Sequence, residues 1–276
     1  MQHLFSVWLE ISRRLKAAGR VLLLCDYDGT LTPIVDSPEL ADLPEETRHR
    51  LQDLSHQGRL TVGIISGRAL ADLKQRVGIS NIIYAGNHGL EVEGPGIAIV
   101  NPLAEEMRPV FRLIQQVLSK ALTPIRGAQV ENKGLSLSVH YRMVEEGKSE
   151  EVRNIFERVI ATARSLGEVR ITSGKMVYEV RPPVDWDKGK AIALLIDRYS
   201  RHKNKKETLP IFLGDDRTDE DGFKVIREHS GIPIFVGNEP AHPAASYYLR
   251  SPQEVEQFLI LLCGDAQKGV TDELAC

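Results

Sequence analysis

Two carboxylates stand two residues apart in Asp26-Tyr27-Asp28-Gly29-Thr30, directly after an apolar run. Such a pair can divide the work of phosphoryl transfer, one group attacking phosphorus while the other shuttles a proton. An acyl phosphate on the attacking carboxylate splits a difficult displacement by water into two easier steps. Gly29 lets the chain turn sharply enough for both side chains to face one crevice. Asp-Gly also marks ordinary turns, so this motif alone leaves a plain turn open.

Three further clusters carry complementary chemistry. Asp215, Asp216, Asp219, Glu220 and Asp221 crowd acids after another apolar run. Acids this dense repel unless a cation joins them, and Mg²⁺ prefers carboxylate oxygens. A solvated acidic start to a helix accounts equally well for Glu220 and Asp221, but not for Asp215. Ser66 and Gly67 open a helical pattern, where a hydroxyl and backbone N–H groups can hold a phosphate. A plain helix N-cap is the alternative for Ser66. Lys188, in Asp187-Lys188-Gly189-Lys190, precedes another helix and can neutralise a phosphate and an attacking carboxylate. An exposed lysine is the alternative, and it suits Lys190 better.

The elements around these clusters have a common pattern. Apolar runs at 21–25, 60–65, 82–85, 210–213 and 232–236 each end in polar or glycine-rich residues. Helical patterns lie between them, over 3–18, 45–57, 69–77 and 219–228. Continuous apolar runs suit strands buried on both faces, and their alternation with helices predicts an α/β fold with a doubly wound parallel sheet. Ligands of such sheets bind beyond the carboxyl ends of the strands, so the clusters should converge on one crevice. The middle breaks this rhythm. Helices over 105–121 and 149–165, with alternating strands near 129, 135–141, 169–171 and 176–180, predict an α+β module inserted at 105–182, with Pro102 and Pro182-Pro183 as hinge points. The tail beyond Cys263 is expected to be disordered.

Composition narrows the class. The chain has 276 residues, 42% hydrophobic and 26% charged, with a formal charge of -3. That balance gives no basic field for nucleic acid. No apolar run approaches the roughly 20 residues that span a bilayer, and no secretory signal opens the sequence. Cys25, Cys263 and Cys276 are far apart and lack metal or redox spacing, which fits a reducing cytoplasm.

The ordered set Asp26-Tyr27-Asp28-Gly29-Thr30, Ser66, Lys188 and Gly214-Asp215-Asp216 resembles the haloacid dehalogenase superfamily of phosphatases. Ile65-Ser66-Gly67-Arg68, Gly86-Asn87-His88-Gly89 and Gly214-Asp215-Asp216-Arg217-Thr218-Asp219-Glu220 resemble one family within it, the trehalose-6-phosphate phosphatases. So do Glu131-Asn132-Lys133-Gly134, His140-Tyr141-Arg142 and Gly174-Lys175-Met176-Val177-Tyr178-Glu179 of the middle module. The family often has His or Val where this chain has Asn87.

The resemblance implies a Rossmann-like catalytic core over 1–104 and 183–276, and an inserted α+β cap over 105–182 that reads sugar and closes over the core. It implies Asp26 as nucleophile and metal ligand. Asp28 would be the general acid and base, with its backbone carbonyl on the metal. Asp215 would complete the ligands, with Asp216 or Asp219 close by; Asp216 is taken here as the ligand. Ser66, Gly67 and Lys188 would hold phosphoryl oxygens, and the metal would be Mg²⁺. Arg68, Asn87, His88, Glu131, Lys133, Arg142, Lys175 and Glu179 would contact substrate. On residue pattern alone, the charged cap residues also suit a salt-bridged outer face of a sheet. The expected partner is a small-molecule sugar phosphate, met by a cytoplasmic monomer without nucleic acid or membrane. Sucrose, mannosylglycerate or glucosylglycerol phosphate are alternative substrates, and a non-catalytic sensor is an alternative role. A phosphomutase and a receiver-type switch fit less well.

Overall fold

Alternation along one strand organises the larger part of the chain. In the strand Arg20–Cys25, residues Val21, Leu23 and Cys25 enter one hydrophobic cluster, while Leu22 and Leu24 enter another. A strand with both faces buried needs this continuous apolar run. The computed structural model describes residues 1–35, 38–174, 176–200, 208–238 and 244–273.

The strands are β1 (Gln2–His3), β2 (Arg20–Cys25), β3 (Leu60–Ile65), β4 (Ile83–Gly86), β5 (Glu91–Gly94), β6 (Ile97–Val100), β7 (Gln129–Asn132), β8 (Leu137–His140), β9 (Arg170–Gly174), β10 (Val177–Arg181), β11 (Thr208–Gly214), β12 (Ile232–Val236) and β13 (Tyr247–Leu249). The α-helices are α1 (Trp8–Ala17), α2 (Glu45–Ser55), α3 (Leu70–Val77), α4 (Pro102–Glu106), α5 (Arg108–Leu122), α6 (Ser149–Ser165), α7 (Lys188–Ser200), α8 (Glu220–Glu228) and α9 (Pro252–Glu273).

Nine strands form one sheet in the order β1-β13-β12-β11-β2-β3-β4-β5-β6. The pairings from β1 through β4 are parallel, and β5 runs antiparallel to β4. From β2 the chain steps outward through β3 and β4; from β11 it steps the other way through β12 and β13. The order therefore reverses between β2 and β11, where open α/β sheets bind ligands. Helices α1, α2, α3 and α9 cover one face through Ile11, Leu51, Leu73 and Phe258, and α7 and α8 cover the other through Leu195 and Phe223.

Two compact units divide the chain, one made of 1–98 and 186–276, the other of Ile99–Asp185. The second unit starts earlier than the 105 read from the sequence. Inside it Pro102 opens α4 at the first helical turn, and the Asn101 side chain caps that helix by accepting from the Ala104 N–H at 3.2 Å. Proline suits that position because its missing N–H has no intrahelical partner there. Within this unit β7-β8-β10-β9 form an antiparallel sheet. Its apolar face, with Leu137, Val139 and Val180, packs on Phe111 of α5 and Phe156 of α6. Phe156 stacks on Tyr178 at 4.7 Å and Tyr178 on Tyr141 at 4.9 Å.

Two local expectations change. The N-terminal helical pattern splits into β1, a 3-10 turn at Leu4–Val7, and α1, because residues 2 and 3 pair with Tyr247 and Tyr248. Helix α9 runs on to Glu273 where a disordered tail was expected, since no proline follows Pro252 to stop it. Among the described residues no helix is long and apolar enough to cross a membrane.

Candidate active site

At the switch point between β2 and β11, Asp26 continues β2 and donates its N–H to the Leu213 carbonyl at 2.8 Å. Lys188, the first residue of α7, reaches across to it. Its Nζ donates to Asp26 Oδ1 at 2.7 Å and to Asp219 Oδ1 at 2.6 Å. The lysine is 3% exposed and Asp219 is fully buried, so this is an ion-pair network withdrawn from water. The exposed-lysine alternative for Lys188 therefore does not hold.

Asp219 shapes the loop around it. Its Oδ2 accepts from the N–H groups of Asp215 at 3.0 Å and Asp216 at 3.1 Å. Gly214 leaves room for that carboxylate, because a Cβ there would overlap the Asp219 side chain. Gly29, with φ +83°, meets two demands at once: a left-handed backbone and space for the Asp215 carboxylate, which a Cβ would strike.

Asp26, Asp215 and Asp219 each offer an oxygen within 4.8 Å of the others. Asp216, expected from the sequence as a ligand, is outside that group. Its Oδ1 accepts from the Thr218 N–H at 2.7 Å and hydroxyl at 2.6 Å, capping the 3-10 turn Arg217–Asp219. The turn brings Asp219 inward instead. The Asp28 side chain, 45% exposed, meets Arg68 side-on: Nε to Oδ2 at 2.8 Å and Nη2 to Oδ1 at 2.6 Å.

Electrostatics follow from this crowding. Burial raises the Asp26 carboxyl above the usual range; Lys188 pulls it down, but Asp219 and Asp215 push it up again, and it stays well raised. Burial alone would lower Lys188, yet the Asp219 and Asp26 charges outweigh it and hold the ammonium protonated. Asp219 is raised chiefly by its burial, against the pull of Lys188. Burial also pushes Asp216 up, but Lys188 and the Thr218 bonds prevail and leave it lowered.

Ser66 and Gly67 follow β3. Ser66 is 1% exposed; its N–H donates to the Ala85 carbonyl at 2.9 Å, and its hydroxyl accepts from the Arg68 N–H at 3.2 Å. It is not a helix cap, since α3 begins at Leu70 with Ala69 before it. The cap is remote in sequence: Glu91 Oε1 accepts the Leu70 N–H at 3.0 Å and the Asn87 amide at 2.7 Å. Asn87, expected at the substrate, is fully buried and serves this loop. It and His88 adopt left-handed φ values of 49° and 57°. The Asn87 N–H reaches the Arg68 carbonyl at 2.7 Å and the His88 N–H the Ser66 carbonyl at 2.9 Å. The His88 ring lies over Gly67, where a Cβ would come within 2.7 Å of it.

The polar face of the β7–β10 sheet holds a second cluster, within the Ile99–Asp185 unit. Lys133 Nζ lies 3.6 Å from Glu179 and 4.0 Å from Glu131. His140 Nε2 lies 2.9 Å from Glu131 Oε2, and Arg181 Nε donates to Glu179 Oε2 at 3.0 Å. The motifs of this module point to Glu131, Lys133 and Glu179 as sugar contacts, but not to His140 or Arg181. Alternation was the available signal: with Leu137 and Val139 turned to the core, Ser138 and His140 must face the other way. Arg142 stands in the turn after β8. Lys175 lies outside the described residues.

This geometry has counterparts among known proteins. A haloacid dehalogenase-like hydrolase from Bacteroides thetaiotaomicron shares the fold with a TM-score of 0.59 at 16% identity, covering 88% of this chain and 98% of its own. The C-terminal domain of Candida albicans trehalose-6-phosphate phosphatase superposes with a TM-score of 0.77 at 25% identity, covering 93% of this chain and 96% of that one. The probable trehalose-phosphate phosphatase 3 of Oryza sativa subsp. japonica is 35% identical over 268 residues, 91% of this chain and 72% of its own length. The trehalose-phosphatase family model matches residues 24–253. The fold is thus that of haloacid dehalogenase-like hydrolases. Within that class, the chain belongs to the trehalose-phosphatase family.

Membership implies a divalent metal, and the residues fit one. The converging groups are hard carboxylate oxygens, three of them around one ammonium.

Proposed function

We propose that this phosphatase hydrolyses trehalose 6-phosphate to trehalose and inorganic phosphate through a phosphorylated Asp26. The observation that carries the mechanism is the Lys188 bridge between Asp26 and Asp219, beside Asp215, at the switch point of the sheet. An Asp26 oxygen attacks phosphorus as the sugar oxygen leaves with a proton from Asp28. Water then attacks the phosphoryl group, gives its proton to Asp28 and frees Asp26. Lys188 holds Asp26 in line and, with Ser66 and the Gly67 N–H, balances charge on the phosphoryl oxygens.

Mg²⁺ is the metal this reading assigns; Asp26, Asp215 and the Asp28 carbonyl would hold it. When bound it neutralises phosphoryl charge. Asp219, whose two oxygens already accept from Lys188 and the loop N–H groups, keeps those partners in place. The 1–98 and 186–276 unit is the catalytic core, and the Ile99–Asp185 unit reads the sugar through Glu131, Lys133 and Glu179. Arg142, Lys175 and His88 are further contacts. One chain supplies every group used, so a monomer suffices, and the sparse cysteines support a cytoplasmic setting.

Phosphate release from trehalose 6-phosphate, sucrose 6-phosphate, glucose 6-phosphate and an aryl phosphate tests this, with Mg²⁺ and with excess EDTA. Strong preference for trehalose 6-phosphate, lost in EDTA, is expected. Preference for another sugar would overturn the substrate, and full activity in EDTA would remove the metal. Glu131→Ala tests the sugar-reading unit. Its kcat/KM on trehalose 6-phosphate should fall about 10- to 100-fold, the worth of a charged hydrogen bond, while aryl phosphate hydrolysis holds. Equal losses on both substrates would deny Glu131 a sugar contact.

A further inference from the structure

We propose that Arg68 is the positioning residue for Asp28, fixing the carboxylate in the place from which it transfers both protons. This rests on the reading of Asp28 as the proton shuttle. Arg68 was expected at the substrate, yet its guanidinium meets Asp28 with two parallel bonds, at 2.8 and 2.6 Å. A two-point contact with a planar fork sets the orientation of a carboxylate as well as its distance. The asymmetry in exposure matters: the arginine side chain is 8% exposed and its partner 45%. Alone, a half-exposed aspartate would sample several rotamers; here a buried, immobile group holds it.

Arg68 is held from every side. Nη1 donates to Asp72 Oδ2 at 2.9 Å, and the other Asp72 oxygen is occupied by Arg76 Nε at 2.9 Å. The Tyr27 ring lies under the guanidinium carbon at 5.2 Å, and the Tyr27 hydroxyl is anchored on the Ala41 carbonyl at 2.8 Å. Its backbone N–H and carbonyl are tied to Ser66 Oγ and the Asn87 N–H. So the strand ends of β2, β3 and β4 all converge on Arg68, through its guanidinium or its backbone, and Arg68 sets the pose of Asp28.

Arg68 occupies one lone pair on each Asp28 oxygen, and both proton transfers use a second lone pair that the fork leaves open. In the first step the Asp26–phosphorus bond forms, the bond from phosphorus to sugar oxygen breaks, and the Asp28 proton goes to that oxygen. In the second the bond from water oxygen to phosphorus forms, the Asp26–phosphorus bond breaks, and a water proton goes to Asp28. Arg68 exchanges no proton and touches no reacting atom.

Arg68→Lys keeps the charge but loses the fork. Measured with Mg²⁺, its kcat on trehalose 6-phosphate should fall roughly 10- to 100-fold at nearly constant KM, the effect of a misplaced catalytic group. An aryl phosphate, whose leaving group needs no proton, should still phosphorylate Asp26 fast. Stopped-flow should then show a burst of about one phenolate per active site, followed by slow turnover. The burst also counts folded sites. In an Asp28→Asn background Arg68→Lys should cost less than about twofold more, because both changes remove one function. Multiplying losses, a raised KM at unchanged kcat, or wild-type rates would each overturn the proposal. Should Arg68→Lys fail to fold, Asp72→Asn loosens the same arginine and should give the same burst with a smaller fall; absence of the burst would overturn it equally. Wild-type turnover in Asp28→Asn alone would instead sink the reading of Asp28 itself.

Discussion

Asp26→Asn should give a folded protein that releases no measurable phosphate from trehalose 6-phosphate, a loss of at least about 10⁴-fold if Asp26 is the nucleophile. The amide matches the carboxylate in shape, and Asp26 is 5% exposed, so the packing around β2 has no reason to change. What disappears is the nucleophilic oxygen. Stability should move the other way. Burial, with Asp219 and Asp215 beside it, raises the Asp26 carboxyl well above its ordinary value. A raised carboxyl binds its proton more tightly folded than unfolded, so its contribution to stability is full at low pH. That contribution is lost as pH climbs from the ordinary aspartate value, about 3.9, through the raised one. Without metal, the wild-type protein should therefore lose stability over that climb, and Asp26→Asn should lose less. Thermal unfolding in EDTA across pH, beside the phosphate assay, reads both effects. Turnover near the wild-type rate would remove Asp26 from the mechanism.

Lys188→Met has the second-largest expected effect, and it is felt in rate and fold together. The ammonium is the shared partner of Asp26 and Asp219, at 2.7 and 2.6 Å, and all three side chains are buried. Methionine keeps the length and removes the charge. Taking one partner from a buried pair leaves the other uncompensated, which costs about 3–5 kcal/mol. In EDTA the midpoint of unfolding should fall by many degrees. Mg²⁺ should restore part of it, because a cation on Asp26 and Asp215 relieves the same repulsion. The rate should not recover with it. Loss of one positioned charge at the phosphoryl group should lower kcat by about 10²–10³-fold. An unchanged midpoint in EDTA, with kcat intact, would mean that Lys188 neither balances the acids nor holds the phosphoryl oxygens.

These residues also separate what could be read early from what could not. The apolar runs ending in Asp26, Ser66, Gly86 and Gly214 announced buried parallel strands with chemistry at their carboxyl ends. Alternation and helical spacing are properties of neighbouring residues, so Val21–Cys25 and Ser149–Ser165 were legible as they stand. The motif order was enough to resemble the family that the comparisons then support. The alternating residues of the middle sheet revealed its polar face, with Glu131, Lys133 and Glu179 on it.

Tertiary structure decided which acid turns inward and what each charged group touches. Asp216 and Asp219 are equivalent on paper; a short 3-10 turn, capped by Asp216 itself, sends Asp219 to Lys188 and the loop N–H groups. The resemblance points Arg68 to the substrate, and nothing nearby in sequence announces its partner 40 residues upstream. Asn87 gives its amide to Glu91, which also accepts from the start of α3, and so lies in the interior. His140 met Glu131 only through the register of β7 and β8. Local patterns determine elements because they act through adjacent residues. Partnerships such as Lys188 with Asp26, separated by 162 positions, depend on how strands are ordered and turns close, and that is settled only when the sheet packs.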